Sequence, residues 1–279
     1  MVVGIIGMGL IGGSFAKAYH EAGHTVYALD TDRTILEYSM LAGVTKAELT
    51  DENVNDCDLL IIATYTDSII EYTERFAPRL KKGAIVIDCN GVKTRVCKEC
   101  FRIARDYDFD FVGAHPMAGS HLSFFKHSSK NMFEGAYMVL IPPGEDDVSD
   151  IRILARTKQL LEPAGFAHYK ITTAEEHDRK IAYTSQMTHV MASSYIRNPS
   201  AEKHEGYSAG SFRDITRVAW INSKLWSGLL VDNKENVLRE LDILIGNLLE
   251  CKEAICREDV EKLESILEEG SKIRDKVGV

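Results

Sequence analysis

Gly7-Met8-Gly9-Leu10-Ile11-Gly12 stands directly behind the apolar run Val2-Val3-Gly4-Ile5-Ile6 and directly ahead of a helix-like stretch at 12–22. That order restricts the fold more than any other feature of the chain. In a strand-to-helix turn the first glycine permits the tight bend, the second lets a pyrophosphate approach the backbone, and the third lets the helix pack on the strand. The pyrophosphate then sits at the positive end of the helix. A second apolar run, TVYALD, ends in Asp30, 18 residues after Gly12. A carboxylate there can accept hydrogen bonds from adenosine ribose hydroxyls and would repel a 2′-phosphate. The segment therefore reads as a dinucleotide site built from Gly7, Met8, Gly9, Leu10, Ile11, Gly12 and Asp30. NAD is favoured over NADP, although Arg33 lies near enough in sequence to reach a phosphate. The bland alternative, a glycine turn that binds nothing, does not explain why strand, glycines, helix and terminal acid fall in register.

The same alternation continues. Apolar runs at 58–64, 84–90, 111–115, 137–143 and 166–172 are separated by helix-like stretches at 32–42, 67–81, 93–106 and 149–162. Continuous β-branched runs between amphipathic helices are what a parallel sheet covered on both faces requires. The expectation is an α/β, doubly wound Rossmann-type domain over residues 1–172. From Thr173 onward strand signals vanish and apolar residues recur at helical spacing, as in Leu238, Leu241, Leu244, Ile245, Leu248 and Leu249. Residues 173–279 are expected to form an all-helical domain whose wide apolar stripes suit a homodimer interface.

Composition narrows the function classes. Of 279 residues, 33 are Lys or Arg and 42 are Asp or Glu, a net charge of -9 with no basic stripe, so a nucleic-acid partner is not expected. No stretch is long and apolar enough to suggest a membrane span, and the N-terminal apolar run leads straight into the glycine motif, so a cytoplasmic protein is expected. The six cysteines lack the density of a disulfide scaffold. Cys97-Lys98-Glu99-Cys100 has redox or half-zinc spacing, but no second pair completes four ligands, and no metal site is expected.

Open α/β sheets bind ligands beyond the carboxyl ends of their strands, which draws attention to Thr64, to Asp88 through Lys93, and to His115. In Gly113-Ala114-His115-Pro116-Met117-Ala118-Gly119-Ser120 a proline forces His115 into extended geometry, and glycines allow close approach of a ligand. A neutral imidazole titrating near working pH is a suitable base for the proton of a carbinol that loses hydride.

GMGLIGGS, GAHPMAGS and FEGAYMVLIP, followed by Glu176-His177-Asp178, Ser185-Gln186-Met187-Thr188-His189 and the run from Gly210 to Arg217, resemble in order the signature segments of the prephenate/arogenate dehydrogenase family. The resemblance spans most of the chain. It implies oxidative decarboxylation of a cyclohexadienol with hydride transfer to NAD, giving 4-hydroxyphenylpyruvate from prephenate or tyrosine from arogenate. It further implies that His115 is the catalytic base and that Ser120, Gln186, His189, Arg217 and Trp226 meet the substrate. Two departures stand out. The family commonly has a serine that orients the catalytic histidine, where this chain has Gly91 before Val92-Lys93, which leaves Asn90, a water or the cofactor to hold the His115 tautomer. Gln186 stands where many relatives have a histidine. His177 and Asp178 are expected to cap or brace a helix, and Asp214 at i−3 could pair with Arg217 as an ordinary helix ion pair. Two rival readings remain: another two-domain reductase of the β-hydroxyacid dehydrogenase kind, and a non-catalytic dinucleotide sensor, which would not need His115.

Overall fold

The structure, a computed structural model, describes residues 1–119, 124–144 and 147–278. Its first part is built on strands β1 (Val2–Ile6), β2 (Thr25–Leu29), β3 (Ala47–Glu48), β4 (Leu59–Ile62), β5 (Ile85–Asp88), β6 (Asp110–Pro116), β7 (Tyr137–Ile141) and β8 (His168–Ile171). They form one sheet in the order β3-β2-β1-β4-β5-β6-β7-β8. The order reverses at β1, with β2 on one side and β4 on the other, which makes the carboxyl end of β1 a topological switch point. Helices α1 (Leu10–Glu21), α2 (Arg33–Leu41), α3 (Thr66–Phe76), α4 (Thr94–Ala104) and α5 (Asp147–Leu161) provide the crossovers.

The central strands β1, β4 and β5 are apolar and buried because both faces are covered. In β4, Leu59 and Ile61 enter one core cluster while Leu60 and Ile62 enter the other, as a side-chain period of two dictates. The doubly wound expectation holds, with two differences. β3 is only two residues long and carries no periodic signal. β7 runs antiparallel to β6, because the intervening chain supplies only a 3₁₀ turn, Phe125–His127, among its described residues and no helix to carry it back across a sheet face.

Beyond β8 the described chain is helical: α6 (Ala174–Ile181), α7 (Met187–Ile196), α8 (Gly210–Thr216), α9 (Ser223–Asp232), α10 (Lys234–Cys256) and α11 (Val260–Val277). Thr173 starts this series by accepting a hydrogen bond from the Glu176 amide at 3.2 Å, an N-cap contact. Between α6 and α7 the chain widens into a π-helical segment, Ala182–Gln186, a geometry that recurs at functional sites. The apolar stripe of α10 finds little cover within one chain. Leu238, Leu248 and Leu249 remain more than half exposed, and α11 contains no buried residue. No described helix is long and apolar enough to cross a membrane.

Candidate active site

A cavity of about 590 Å³ opens at the switch point, walled on one side by the carboxyl ends of the strands and on the other by α9 and the π-helical segment. Gly7, Gly9, Leu10, Ile11, Asp30, Thr64, His115, Gln186 and Trp226 all line it. Sequence reasoning had assigned each of them to cofactor, chemistry or substrate, and the fold brings them to one place. Met8 and Gly12 lie buried beneath the wall and shape it from below.

The glycine turn fits a dinucleotide for steric reasons. Gly7 has φ +88°, and a Cβ there would lie 2.5 Å from the Ala63 carbonyl oxygen. A Cβ on Gly12 would lie 1.9 Å from the carbonyl oxygen of Gly7. At Gly9, the N-cap of α1, nothing lies within 4 Å of that position, which leaves room for a pyrophosphate over the helix terminus. Thr64 Oγ1 is buried without a hydrogen-bond partner, a polar atom in the cavity wall that a bound ligand can satisfy. Gly12→Ala should therefore force the turn open. A clash of this kind costs about 1–3 kcal/mol, or roughly tenfold to a hundredfold in affinity. Titration with NAD would check it, and wild-type affinity would contradict the steric reading.

Asp30 braces this turn. Its carboxylate accepts from the Met8 amide at 2.5 Å and from the Asp32 amide at 2.9 Å, so it ties the end of β2 to the glycine loop while facing the cavity. Arg33 does not line the cavity. Its guanidinium donates to both oxygens of Glu48 at 2.8 Å.

His115 comes from the end of β6 and is held by a network that the sequence did not reveal. The ammonium of Lys93, fully buried, donates to Asp88 and, at 2.7 Å, to the carbonyl oxygen of Ala114. Asp88 also accepts from the Ala114 amide at 3.1 Å. Ala114, the residue leading into His115, is thus clamped at both its backbone polar atoms. The imidazole Nδ1 lies 2.9 Å from Nε2 of His177, and Nδ1 of His177 lies 2.8 Å from Asp178 Oδ1. Desolvation, then the neighbouring His177 and the Lys93 charge, push His115 well below its ordinary value. It is therefore a neutral imidazole at neutral pH.

This arrangement corrects one expectation and extends another. Asn90 does not hold His115: its side-chain amide donates to Thr66 Oγ1 at 2.8 Å and its carbonyl oxygen accepts from the Gly91 amide. His177 and Asp178 do brace a helix, since Asp178 accepts from the backbone amides of Lys93 and Thr94 at the start of α4. They also reach the imidazole of His115. Only the adjacent pair His177-Asp178 could have hinted at this in the sequence, because the contact with His115 joins residues 62 apart.

The helical wall is less uniform. Gln186 is fully engaged: its Nε2 donates to the Leu229 carbonyl oxygen at 2.9 Å and its Oε1 accepts from Asn233 at 2.6 Å. His189 is not among the residues that line the cavity; its ring packs against Trp226 with centroids 3.9 Å apart and planes tilted by 49°, and its Nδ1 lies 2.7 Å from the Val218 carbonyl oxygen. Desolvation first, and the charge of Arg217 second, hold His189 below its ordinary value against the raising effect of the Val218 carbonyl. Arg217 is exposed and makes no ion pair with Asp214 or with any other described residue. It stands outside the cavity lining. Ser120 lies outside the described residues. The Cys97 and Cys100 thiols are buried, burial pushing Cys100 up to about 12 and Cys97 well above its ordinary value, which keeps both protonated and unreactive. No group of potential metal ligands occurs among the described residues.

Comparison with known proteins agrees with this geometry. The family model for the prephenate dehydrogenase nucleotide-binding domain matches residues 15–168, and that for the prephenate dehydrogenase dimerization domain matches residues 173–269. A prephenate dehydrogenase of Lactococcus lactis subsp. cremoris is 30% identical over 97% of this chain and 75% of its own length. A cyclohexadienyl dehydrogenase of Zymomonas mobilis is 28% identical over 98% of this chain and 94% of its own. Among solved structures, prephenate dehydrogenase from A. aeolicus in complex with hydroxyphenyl propionate and NAD+ superposes with a TM-score of 0.86 at 26% identity, covering 99% of this chain and 98% of that one. With both halves matched in order and a relative of this identity along nearly its whole length, the chain belongs to the prephenate dehydrogenase family.

Proposed function

We propose that this protein catalyses the NAD-dependent oxidative decarboxylation of prephenate or arogenate in tyrosine biosynthesis, with His115 as the general base. The observation that carries the reading is the imidazole of His115 in the wall of the same cavity as the glycine turn. The glycine turn and Asp30 would hold NAD, which would supply the hydride acceptor. Nε2 of His115 takes the proton of the ring hydroxyl as the carbon–hydrogen electron pair leaves that carbon. The bond to the ring carboxylate then breaks, carbon dioxide departs, and its electron pair completes the aromatic ring. The phenolic oxygen recovers the proton, so no net proton leaves the site, and His115 must hold a charge only transiently.

On the helical side, Trp226 forms a wall against the substrate ring with His189 packed against it, and Gln186 shapes the pocket with its hydrogen-bonded amide. Arg217, exposed and without an ion-pair partner among the described residues, suits a substrate carboxylate. Arg217→Ala should raise KM on the order of tenfold to a hundredfold, the worth of a charge-assisted hydrogen bond, while NAD affinity stays near wild type. An unchanged KM would return Arg217 to a structural role. The Arg33–Glu48 pair favours NAD over NADP, because Glu48 occupies the guanidinium a 2′-phosphate would need. We also assign residues 1–172 to the cofactor and 173–279 to substrate closure and to a homodimer, which would cover the exposed apolar face of α10 and α11. Six free thiols suit a cytoplasmic setting.

The test is steady-state kinetics with prephenate and arogenate, each with NAD and NADP, following reduced cofactor and carbon dioxide together. Equimolar release of both with at least one substrate is expected. A protein that binds NAD but reduces none with either substrate would be a sensor instead.

A further inference from the structure

Gly91 leaves open the side of His115 where a serine hydroxyl could stand: a Cβ built there would lie 4.0 Å from His115 Cε1. The hydrogen-bond partner of the imidazole comes from another element, at the first turn of the helical half. We infer that His177 and Asp178 are positioning residues that fix the catalytic tautomer of His115, the proton on Nδ1 and a free lone pair on Nε2 facing the cavity. The inference rests on reading His115 as the base.

The direction of each bond in the chain follows from Asp178. Its Oδ2 accepts from the Thr94 amide at 2.8 Å and from Thr94 Oγ1 at 2.6 Å, and its Oδ1 accepts from the Lys93 amide at 2.7 Å. A carboxyl group surrounded by donors acts as a pure acceptor and stays ionised. Burial pushes the Asp178 carboxyl up, but the bonds from His177, Thr94 and the two amides outweigh it and hold the group below its ordinary value. The position ahead of α4 adds the favourable field of a helix N-terminus. His177 must therefore place its proton on Nδ1, the atom that meets Asp178. Its Nε2 is left with a lone pair, and the partner of that lone pair is Nδ1 of His115. His115 must then carry its proton on Nδ1, and Nε2, which no described residue engages, becomes the basic atom.

The dyad has little freedom to do otherwise. His177 is 4% exposed and Asp178 1%. The Asp178 carbonyl oxygen also accepts from Asn233 at 2.8 Å, which ties α6 to the start of α10. When His115 holds the substrate proton, the imidazolium has a neutral acceptor next to it and a carboxylate one step further, an arrangement that supports a transient charge without releasing it. A conduit for protons is not needed, since the proton returns to the ring oxygen.

The test combines a spectroscopic and a kinetic readout. Side-chain 15N NMR of the histidine-labelled protein, with the His115 signals identified by their loss in His115→Asn, reports which ring nitrogen carries the proton. Wild type should show a protonated Nδ1 and a bare Nε2. His177→Leu should mix the tautomers and lower kcat on the order of tenfold to a hundredfold, the usual loss when the outer partner of a functional imidazole is removed, with NAD affinity unchanged. His177→Gln retains a carbonyl acceptor and should recover much of both signals. A wild-type His115 protonated on Nε2 overturns the inference, as does His177→Leu with wild-type tautomer and turnover. If His177→Leu fails to fold, the wild-type tautomer and His177→Gln still decide. A wild-type protein with the expected tautomer but no dehydrogenase activity would instead defeat the functional reading and leave the hydrogen-bond chain standing.

Discussion

His115→Asn should lower kcat by about 10²–10⁴-fold, the range for loss of a positioned general base, and leave NAD binding nearly intact. The glycine turn and Asp30, to which we assign the cofactor, lie at the ends of β1 and β2, and their contacts do not depend on the imidazole. Asparagine is close in size, so the clamp on Ala114 by Lys93 and Asp88 should survive. What disappears is the lone pair that accepts the substrate proton. The pH profile should report the same group. Because desolvation, His177 and Lys93 hold His115 well below its ordinary value, the base stays unprotonated through the ordinary imidazole range. The acid limb of kcat/KM should therefore appear only below that range, and His115→Asn should abolish it. Undiminished turnover, or an acid limb retained in the variant, would remove His115 from the chemistry.

Lys93→Met should destabilise the fold by about 3–5 kcal/mol, the usual result of removing one partner of a buried ion pair. Both side chains are fully buried, so Asp88 would be left in the interior without its cation, with only the Ala114 and Asn90 amides as donors. The Ala114 carbonyl oxygen would also lose its donor, which loosens the residue leading into His115. Activity should fall with stability, since the same ammonium serves both. Urea denaturation followed by circular dichroism measures the effect. Replacing Asp88 by leucine in the same chain should recover only part of it, because the two amides would remain unsatisfied. A Lys93→Met protein as stable as wild type would show that the buried pair does not hold this part of the fold together.

The parts of this molecule legible in its sequence are those set by neighbouring residues. The glycine turn, the apolar runs of β1, β4 and β5, and the acid at the end of β2 are local patterns with local causes, and the fold assembles them where the patterns place them. The position of His115 at a strand end was legible for the same reason. Strand direction was not: Tyr137–Ile141 is a buried apolar run that reads alike in either sense, and only the missing crossover helix makes it antiparallel. The partner of His115 was hidden because His177 becomes its neighbour only when α6 docks against the start of α4 through Asp178. The π-helical widening at Ala182–Gln186, which sets Gln186 in the cavity wall, likewise has no signature in residue spacing. Gln186 and Trp226, which the family resemblance singled out as substrate residues, line the cavity, but nothing in the resemblance hinted that the Gln186 amide would bond to Leu229 and Asn233.

The most direct measurement is a crystal structure with NAD and a hydroxyphenyl acid that mimics the aromatic product. Expected is the phenolic oxygen within hydrogen-bond distance of His115 Nε2, the nicotinamide against the same ring, and Nδ1 still bonded to His177. A complex in which that imidazole turns away from the ring, or in which another side chain holds the phenolic oxygen, would contradict it.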